Sequence, residues 1–245
     1  MDASPSYKHA GVTTFRWHDE VIFNRRRYIP MNGIPMSIPG QGPHELRATI
    51  TGVILAGGRA TRMGGQDKGL LPLAGKAMVQ HVIGALEPQV ADIIINANRH
   101  RAEYARYGYR VLPDLLEGYC GPLAGIATAL RAARTSYIVT TPCDSPFVPG
   151  DLVLRLYRML SREAVDIGIA HDGERLQPVF ALMRCSLLGS LLSYLHEGER
   201  KVDPWYRQHP HVLCDFSDTP EAFINVNTPA DVTAAEERLR GVATC

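Results

Sequence analysis

Short apolar runs alternate with amphipathic segments between residues 49 and 163. The apolar runs predict strands over about 51–56, 91–96, 109–112 and 137–141. The segments that follow them have apolar residues at helical spacing, as in Met78, Val82 and Leu86. They predict helices over about 75–87, 99–107, 121–134 and 149–163. This repeated order of strand and helix is typical of a parallel sheet with helices on both faces.

The pattern changes in the second half of the chain. Two apolar runs, 166–170 and 177–182, are joined through Asp172 and Gly173, a pair that favours a hairpin and therefore antiparallel strands. Further helices are predicted over about 186–197 and 199–208, and short strands over 212–215 and 223–226. Thr228 and Pro229 suit the N-cap and first turn of a last helix. The sequence therefore predicts a three-layer α/β/α fold, mostly parallel, with an antiparallel part in its second half.

Residues 1–48 do not share this regularity. They are rich in proline and glycine and contain no apolar segment typical of a secretory signal. We expect a flexible N-terminal extension. Two alternatives stay open: a start codon assigned too early, since Met31 and Met36 precede the first strand, or a binding arm. Residues 49–245 are predicted to form one domain, with one half over 49–150 and the other over 151–240.

Composition excludes several classes of protein. The chain has 245 residues, of which 45% are hydrophobic and 21% charged, as in ordinary globular proteins. Its net charge of +1 provides no field that favours nucleic acid or a membrane surface. It has no apolar run of about 18 residues, which argues against a transmembrane helix. The five cysteines are scattered, which argues against a disulfide framework or zinc site and favours a reducing cytoplasm.

A glycine-rich stretch over residues 55–70 follows the first predicted strand. Its glycines let backbone N–H groups approach an anion, and Arg59, Arg62 and Lys68 add positive charge, so the stretch predicts a phosphate site. It matches neither the Walker A motif nor G-x-G-x-x-G. Asp114 and Asp144 follow two other predicted strands and should reach the same edge of the sheet. Cations together with such a carboxylate suit a nucleoside triphosphate with Mg²⁺.

Seven short motifs together resemble the molybdenum cofactor guanylyltransferase (MobA-type) family, over about residues 49–240. They are Leu55-Ala-Gly-Gly58, Arg62-Met-Gly64, Asp67-Lys-Gly69, Asn96-Ala-Asn-Arg99, Gly121-Pro-Leu-Ala-Gly125, Pro142-Cys-Asp-Ser-Pro146 and Asn225-Val-Asn-Thr-Pro229. The resemblance implies a Rossmann-like nucleotidyltransferase fold. It also implies a reaction in which GTP and molybdenum-molybdopterin give molybdopterin guanine dinucleotide and pyrophosphate, assisted by Mg²⁺.

The resemblance also implies roles for individual residues. Lys68 and Arg62 hold the triphosphate, and Asp144 carries Mg²⁺. The first half of the domain binds GTP, and the residues expected to contact it are Leu55, Ala56, Gly57, Gly58, Lys68, Asn96, Asp114 and Asp144. The second half binds the acceptor, and the candidates for molybdopterin are Arg175, Gln177, Pro178, Arg200, Lys201, Asn225 and Asn227. We expect a cytoplasmic monomer, with proteins that deliver molybdopterin or receive the product as partners.

Other interpretations stay open. Lys68 could be a solvated lysine or pair with Asp67, and the polar residues at strand ends could only cap or turn the backbone. A cytidylyltransferase of the same pathway is the nearest functional alternative, although Gly57 and Ser145 favour GTP. A sugar-1-phosphate nucleotidyltransferase is the next, and a non-catalytic nucleotide or cofactor carrier is the third.

Overall fold

The computed structural model describes residues 43–57, 67–116 and 121–242, which lie in a unit formed by Pro35–Cys245. A second unit, Met1–Ile34, lies outside the described residues, so the prediction of an extension over 1–48 stays a prediction. The described part begins with a short helix whose Leu46 is buried and whose Arg47 Nε donates to the Val90 carbonyl, 2.7 Å away. This helix lies inside the stretch for which the sequence predicts no regular structure.

Most of the described strands and helices follow the predicted order. The strands are β1 (Ile50–Leu55), β2 (Pro72–Leu73), β3 (Lys76–Ala77), β4 (Asp92–Asn96), β5 (Arg110–Leu112), β6 (Tyr137–Pro142), β7 (Ile167–His171), β8 (Leu176–Arg184) and β9 (His211–Asp215). The helices are α1 (Pro43–Ala48), α2 (Met78–Leu86), α3 (Arg101–Ala105), α4 (Pro122–Ala132), α5 (Leu152–Arg162), α6 (Leu188–His196), α7 (Val202–Tyr206) and α8 (Pro229–Val242). None of the helices in the described part is both long and apolar enough to cross a membrane.

Among the described residues, seven strands form one sheet in the order β5-β4-β1-β6-β8-β7-β9. Strands β5, β4, β1 and β6 are parallel neighbours, and β7 is parallel to β9. Strand β8 is antiparallel to both β6 and β7. All the strands of this sheet except β8 therefore run in one direction, and their carboxyl ends share one edge. The mostly parallel α/β fold and the antiparallel hairpin are confirmed.

Helices cover both faces of the sheet. Ile167 and Ile169 of β7 pack in a core cluster with α4 and α6. Gly168, between them, faces the other way, where a Cβ would lie 3.1 Å from the Leu156 carbonyl oxygen of α5. Alternate residues of one strand thus meet helices on opposite faces, as expected from the period-two geometry of a strand. This confirms the three-layer arrangement.

Two local predictions are wrong. The first three residues of the predicted helix 75–87 belong to a small hairpin of β2 and β3, whose turn residues Ala74 and Gly75 have φ of 48° and 80°, so α2 begins only at Met78. The predicted strand over 223–226 is absent from the described residues. A 3₁₀ turn over Pro220–Phe223 precedes an irregular segment, and Val226 N donates to the Asp144 carbonyl at 2.8 Å instead of joining the sheet.

Candidate active site

The site lies at the carboxyl edge of β1, β4 and β6. Leu55, the last residue of β1, is in register with Asn96 of β4 and with Pro142 of β6. The chain continues this pairing past the strands, since Ala56 N donates to the Asn96 carbonyl at 2.8 Å and Cys143 N donates to the Leu55 carbonyl at 3.1 Å. The first residues of the glycine-rich stretch therefore lie between the ends of two parallel strands, where α/β folds bind their ligands. Gly58 and Arg62, also predicted to bind the donor, lie outside the described residues.

A lysine, an aspartate and an asparagine from distant parts of the chain meet at this edge. Lys68 opens a 3₁₀ turn over Lys68–Leu70, and its Nζ lies 3.0 Å from Asp144 Oδ2. The same Nζ donates to Asn227 Oδ1. The Lys68 and Asp144 side chains are 24% and 16% exposed, so the ion pair is largely withdrawn from water yet still accessible. Lys68 thus pairs with Asp144, whereas the carboxylate of its neighbour Asp67 makes other contacts.

The segment before α8 is joined to the loop that carries Asp144. Ser145 Oγ donates to Asn225 Oδ1 at 2.5 Å, next to the bond from Val226 N to the Asp144 carbonyl. Asn227 N and Thr228 N both donate to Asp231 Oδ2 at 2.8 Å. The first of these bonds is the main reason why the pKa of Asp231 is lowered. Asp231 N donates in return to Thr228 Oγ1 at 3.2 Å, which completes the N-terminal cap of α8.

A second polar cluster lies at the end of β4. Asn96 is 2% exposed, and its Nδ2 donates to Asp114 Oδ1 at 2.9 Å. Asn98 Nδ2 donates to Asp114 Oδ2 at 2.8 Å, and Asp114 N donates to Asn98 Oδ1 at the same distance. Two amide donors, one on each oxygen, therefore fix the orientation of the Asp114 side chain. A Cβ on Gly57 would lie 3.4 Å from Asn98 Nδ2, so this cluster adjoins the glycine-rich stretch.

Comparisons with known proteins agree with this geometry. Residues 52–212 match the family model described as the MobA-like NTP transferase domain. The chain is 51% identical over 190 residues to a molybdenum cofactor guanylyltransferase from Shewanella loihica, covering 78% of this chain and 97% of that protein. The chain belongs to this family. It is an enzyme, a nucleotidyltransferase.

Solved structures support the same family assignment. The molybdopterin-guanine dinucleotide biosynthesis protein A of Archaeoglobus fulgidus is similar with a TM-score of 0.67 and 26% identity, over 78% of this chain and 99% of that one. The 4-diphosphocytidyl-2C-methyl-D-erythritol synthase of Anaerococcus prevotii gives a TM-score of 0.60 over 79% of this chain and 99% of that one. Its identity is only 12%, so it shows a common fold and nothing more.

In this chain, the seven residues predicted to bind molybdopterin lie in three different parts of the structure. Asn225 and Asn227 lie beside Lys68 and Asp144, as described above. Gln177 and Pro178 lie near the start of β8, and Gln177 Nε2 donates at 2.7 Å to Oδ2 of Asp172, in the turn that joins β7 to β8 and also carries exposed Arg175.

Arg200 and Lys201 lie between α6 and α7, where Arg200 Nη1 donates to the Leu195 carbonyl at 2.7 Å and caps the end of α6. Within the described part, no hydrogen bond joins the β7–β8 turn or the segment between α6 and α7 to Lys68 or Asp144.

The residues present suit one Mg²⁺ ion that also contacts a bound triphosphate. No group of three or more histidine, cysteine, aspartate or glutamate side chains that could hold a metal occurs among the described residues. Mg²⁺ in nucleotide enzymes needs less, since it often takes one or two carboxylates and completes its shell with phosphate oxygens and water. Asp144 Oδ1 accepts no hydrogen bond from a described residue, whereas Oδ2 contacts Lys68. The neighbouring Cys143 offers no thiolate, because burial and the Asp144 charge raise its pKa.

Proposed function

We propose that the protein transfers GMP from GTP to the terminal phosphate of molybdenum-molybdopterin, with release of pyrophosphate and formation of molybdopterin guanine dinucleotide. The observation that carries this proposal is the contact of Lys68 with Asp144 at the carboxyl edge of the sheet, beside Leu55 and Ala56. It supplies the cation and the carboxylate that nucleotidyl transfer requires. The name of the 51% identical relative supports guanylyl transfer over cytidylyl transfer.

In this proposal Lys68 is the residue that neutralises the triphosphate. Its Nζ leaves Asp144 and Asn227 and binds phosphate oxygens, so that negative charge on the leaving pyrophosphate is stabilised. The sequence assigns Arg62 to assist Lys68 in holding the triphosphate. Asp144 would hold Mg²⁺, which supplies further positive charge to the phosphates. Positioning the two substrates in line accounts for the rest of the rate, since no covalent nucleophile is needed.

The nucleoside side of the donor is assigned to the other polar cluster. Leu55, Ala56 and Gly57 line the base and ribose, and Asn96 and Asp114 contact the nucleotide. The hydrogen bonds from Asn96 and Asn98 support this role, because they hold the Asp114 carboxylate in one orientation. Carboxylate oxygens accept hydrogen bonds, which suits the N–H groups of guanine.

The acceptor side is assigned to the seven residues predicted for molybdopterin. Asn227 contacts Lys68, so we place it at the boundary between donor and acceptor, with Arg175, Gln177 and Arg200 farther along. We assign the reaction to the cytoplasm, in agreement with the scattered cysteines. Proteins that deliver molybdopterin or receive the product, and a monomeric state, remain predictions.

The test is Mg²⁺-dependent release of pyrophosphate with GTP or CTP, with molybdopterin or a hexose-1-phosphate as acceptor. We expect release only with GTP, Mg²⁺ and molybdopterin together. Asp144→Ala and Lys68→Ala should abolish it, while Lys76→Ala, which removes an exposed lysine from β3, should not. Release with CTP would favour the cytidylyltransferase, release with a hexose-1-phosphate the sugar enzyme, and GTP binding without turnover the carrier. An unchanged rate in Asp144→Ala would refute its proposed role with the metal.

A further inference from the structure

The proposed reaction leaves one buried hydroxyl group next to Lys68 without a role. Tyr104 of α3 has no exposed surface, and its hydroxyl donates to Asp67 Oδ1 at 2.5 Å. A buried tyrosine hydroxyl normally needs a partner, and here the partner is the residue directly before the lysine. We propose that Tyr104 is a positioning residue, which holds Lys68 in place for the triphosphate through its hydrogen bond to Asp67. This inference rests on the proposed function of Lys68.

One carboxylate oxygen fixes the turn on both sides of Lys68. Asp67 Oδ1 accepts from Tyr104 and also from Gly69 N, at 3.2 Å. The turn is closed further by the bonds from Leu70 N to the Asp67 carbonyl at 3.1 Å and from Leu71 N to the Lys68 carbonyl at 3.2 Å. The backbone of Lys68 therefore lies between Asp67, which carries the acceptor oxygen, and Gly69, which donates to it, and Tyr104 anchors that oxygen to α3.

Close packing connects this anchor to Asp144. A Cβ on Gly69 would lie 2.4 Å from the Tyr104 hydroxyl oxygen, a distance that real Cβ atoms almost never show, and 3.1 Å from Cys143 Cβ, which is tighter than most real Cβ contacts. Gly69 thus packs against both Tyr104 and Cys143, the residue that precedes Asp144. The position of Tyr104 therefore sets how far the Lys68 turn lies from the loop of Asp144. Burial raises the pKa of Tyr104, so the hydroxyl remains protonated and able to donate throughout the neutral pH range.

The chain also connects Tyr104 to the nucleoside side. Helix α3 follows the short loop that carries Asn98 and begins after Asn96, the last residue of β4, and Tyr104 N donates to the carbonyl of His100 at 3.1 Å. The same short stretch thus contacts Asp114 through its asparagines and Asp67, the residue before Lys68, through its tyrosine. A displacement of Lys68 by a fraction of an ångström would matter, since misplacement by about 1 Å can cost about 100-fold in rate.

Tyr104→Phe is the decisive variant, because it removes one hydroxyl and keeps the ring in the core. We expect kcat/KM for GTP to fall by about 10-fold to 100-fold, with KM for molybdopterin unchanged. The control is Tyr109→Phe, which removes a hydroxyl that donates to Glu87 Oε1 at 2.7 Å on an exposed surface. It should have the kinetics of the unchanged protein. Asp67→Asn should also keep most of the activity, because its amide oxygen can accept both hydrogen bonds, whereas Asp67→Ala should match Tyr104→Phe.

Binding of GTP alone separates this inference from the proposed reaction. By calorimetry, Tyr104→Phe should weaken GTP binding in the original chain but cause no further loss in Lys68→Ala, since the tyrosine acts through the lysine. The inference would be overturned if Tyr104→Phe weakened GTP binding in the Lys68→Ala protein as much as in the original chain. It would also be overturned if a folded Tyr104→Phe protein had the kinetics of the unchanged protein. Equal losses in Asp67→Asn and Asp67→Ala would also overturn it. An inactive unchanged protein would refute the proposed reaction, yet the binding measurements would still test Tyr104.

Discussion

The same substitution at two helical glycines should have opposite effects. Gly125 lies in α4, where a Cβ would be 2.2 Å from Asn96 Oδ1 and 2.8 Å from Leu55 Cδ2. Gly84 lies in α2, where a Cβ would meet nothing within 4 Å. At both positions alanine gains about 1 kcal/mol of helix propensity. At Gly125 this gain is opposed by overpacking, at about 1–3 kcal/mol.

Gly125→Ala must also displace the Asn96 side chain, which donates to Asp114 and to the carbonyl of Leu112. Each lost hydrogen bond costs about 0.5–1.5 kcal/mol. The net loss in the free energy of unfolding is therefore about 3 kcal/mol. For a domain of this size it lowers Tm by roughly 6–12 °C, whereas Gly84→Ala should raise Tm by about 2–4 °C.

Thermal unfolding followed by circular dichroism measures both shifts, and GTP titration of Gly125→Ala at a temperature where it is folded should show weakened binding. If Gly125→Ala raised Tm as Gly84→Ala does, the close contact between α4 and Asn96 would be refuted.

Three further predictions concern other parts of the fold. Burial raises the pKa of Cys185 to about 11 and raises that of Cys143 as well, so mass spectrometry at pH 8 should show slow alkylation of both thiols in the native protein and fast alkylation in urea. A hydrogen bond from Arg155 lowers the pKa of Asp218 below its ordinary 3.8, so the stability that ionised Asp218 contributes is present above that pH and lost below it. In urea unfolding, Asp218→Asn should therefore lose less stability below about pH 4 than the unchanged protein does. The same pH dependence in both proteins would contradict this. Thr228→Ala removes the side chain that caps α8 and should cost about 1 kcal/mol in urea unfolding, and no change would argue against the cap.

The sequence predicts the sheet and its main helices well, because their burial follows a regular period. Residues 91–96 read as a strand covered on both faces, and the structure has β4 over Asp92–Asn96 with all of its residues after Asp92 buried. The segment 223–226 forms no strand because Phe223 and Val226 are buried for another reason, while Ile224 is exposed. Phe223 packs edge-to-face against Phe180 and Phe216, so it is an anchor outside the sheet. A four-residue apolar run cannot distinguish these two environments.

The site was predictable only as far as it follows from strand ends. Asp144 follows a recognisable strand, and Lys68 belongs to a recognisable glycine-rich stretch. The contact between Lys68 and Asn227 joins residues 159 positions apart, and no local pattern encodes it. Tyr104 was missed because one tyrosine in a helix normally indicates core packing, and Asn98 because it resembles a strand-end cap. The signals that pointed to Asn98 were its place in the Asn96-Ala-Asn-Arg99 motif and its spacing of two positions from Asn96.

Charge balance at Lys68 relates the resting site to the proposed reaction. In the described structure Asp144 neutralises Lys68, so neither largely buried charge is left without a partner. When Lys68 turns to a triphosphate, Asp144 needs another positive charge, since an uncompensated carboxylate in this position is unfavourable. GTP and Mg²⁺ should therefore bind together, and calorimetric titration of GTP should show at least about tenfold weaker binding in EDTA. Asp144→Asn should remove most of this difference, because its side chain carries no charge to balance. Equal effects of EDTA on both proteins would show that the coupling does not pass through Asp144.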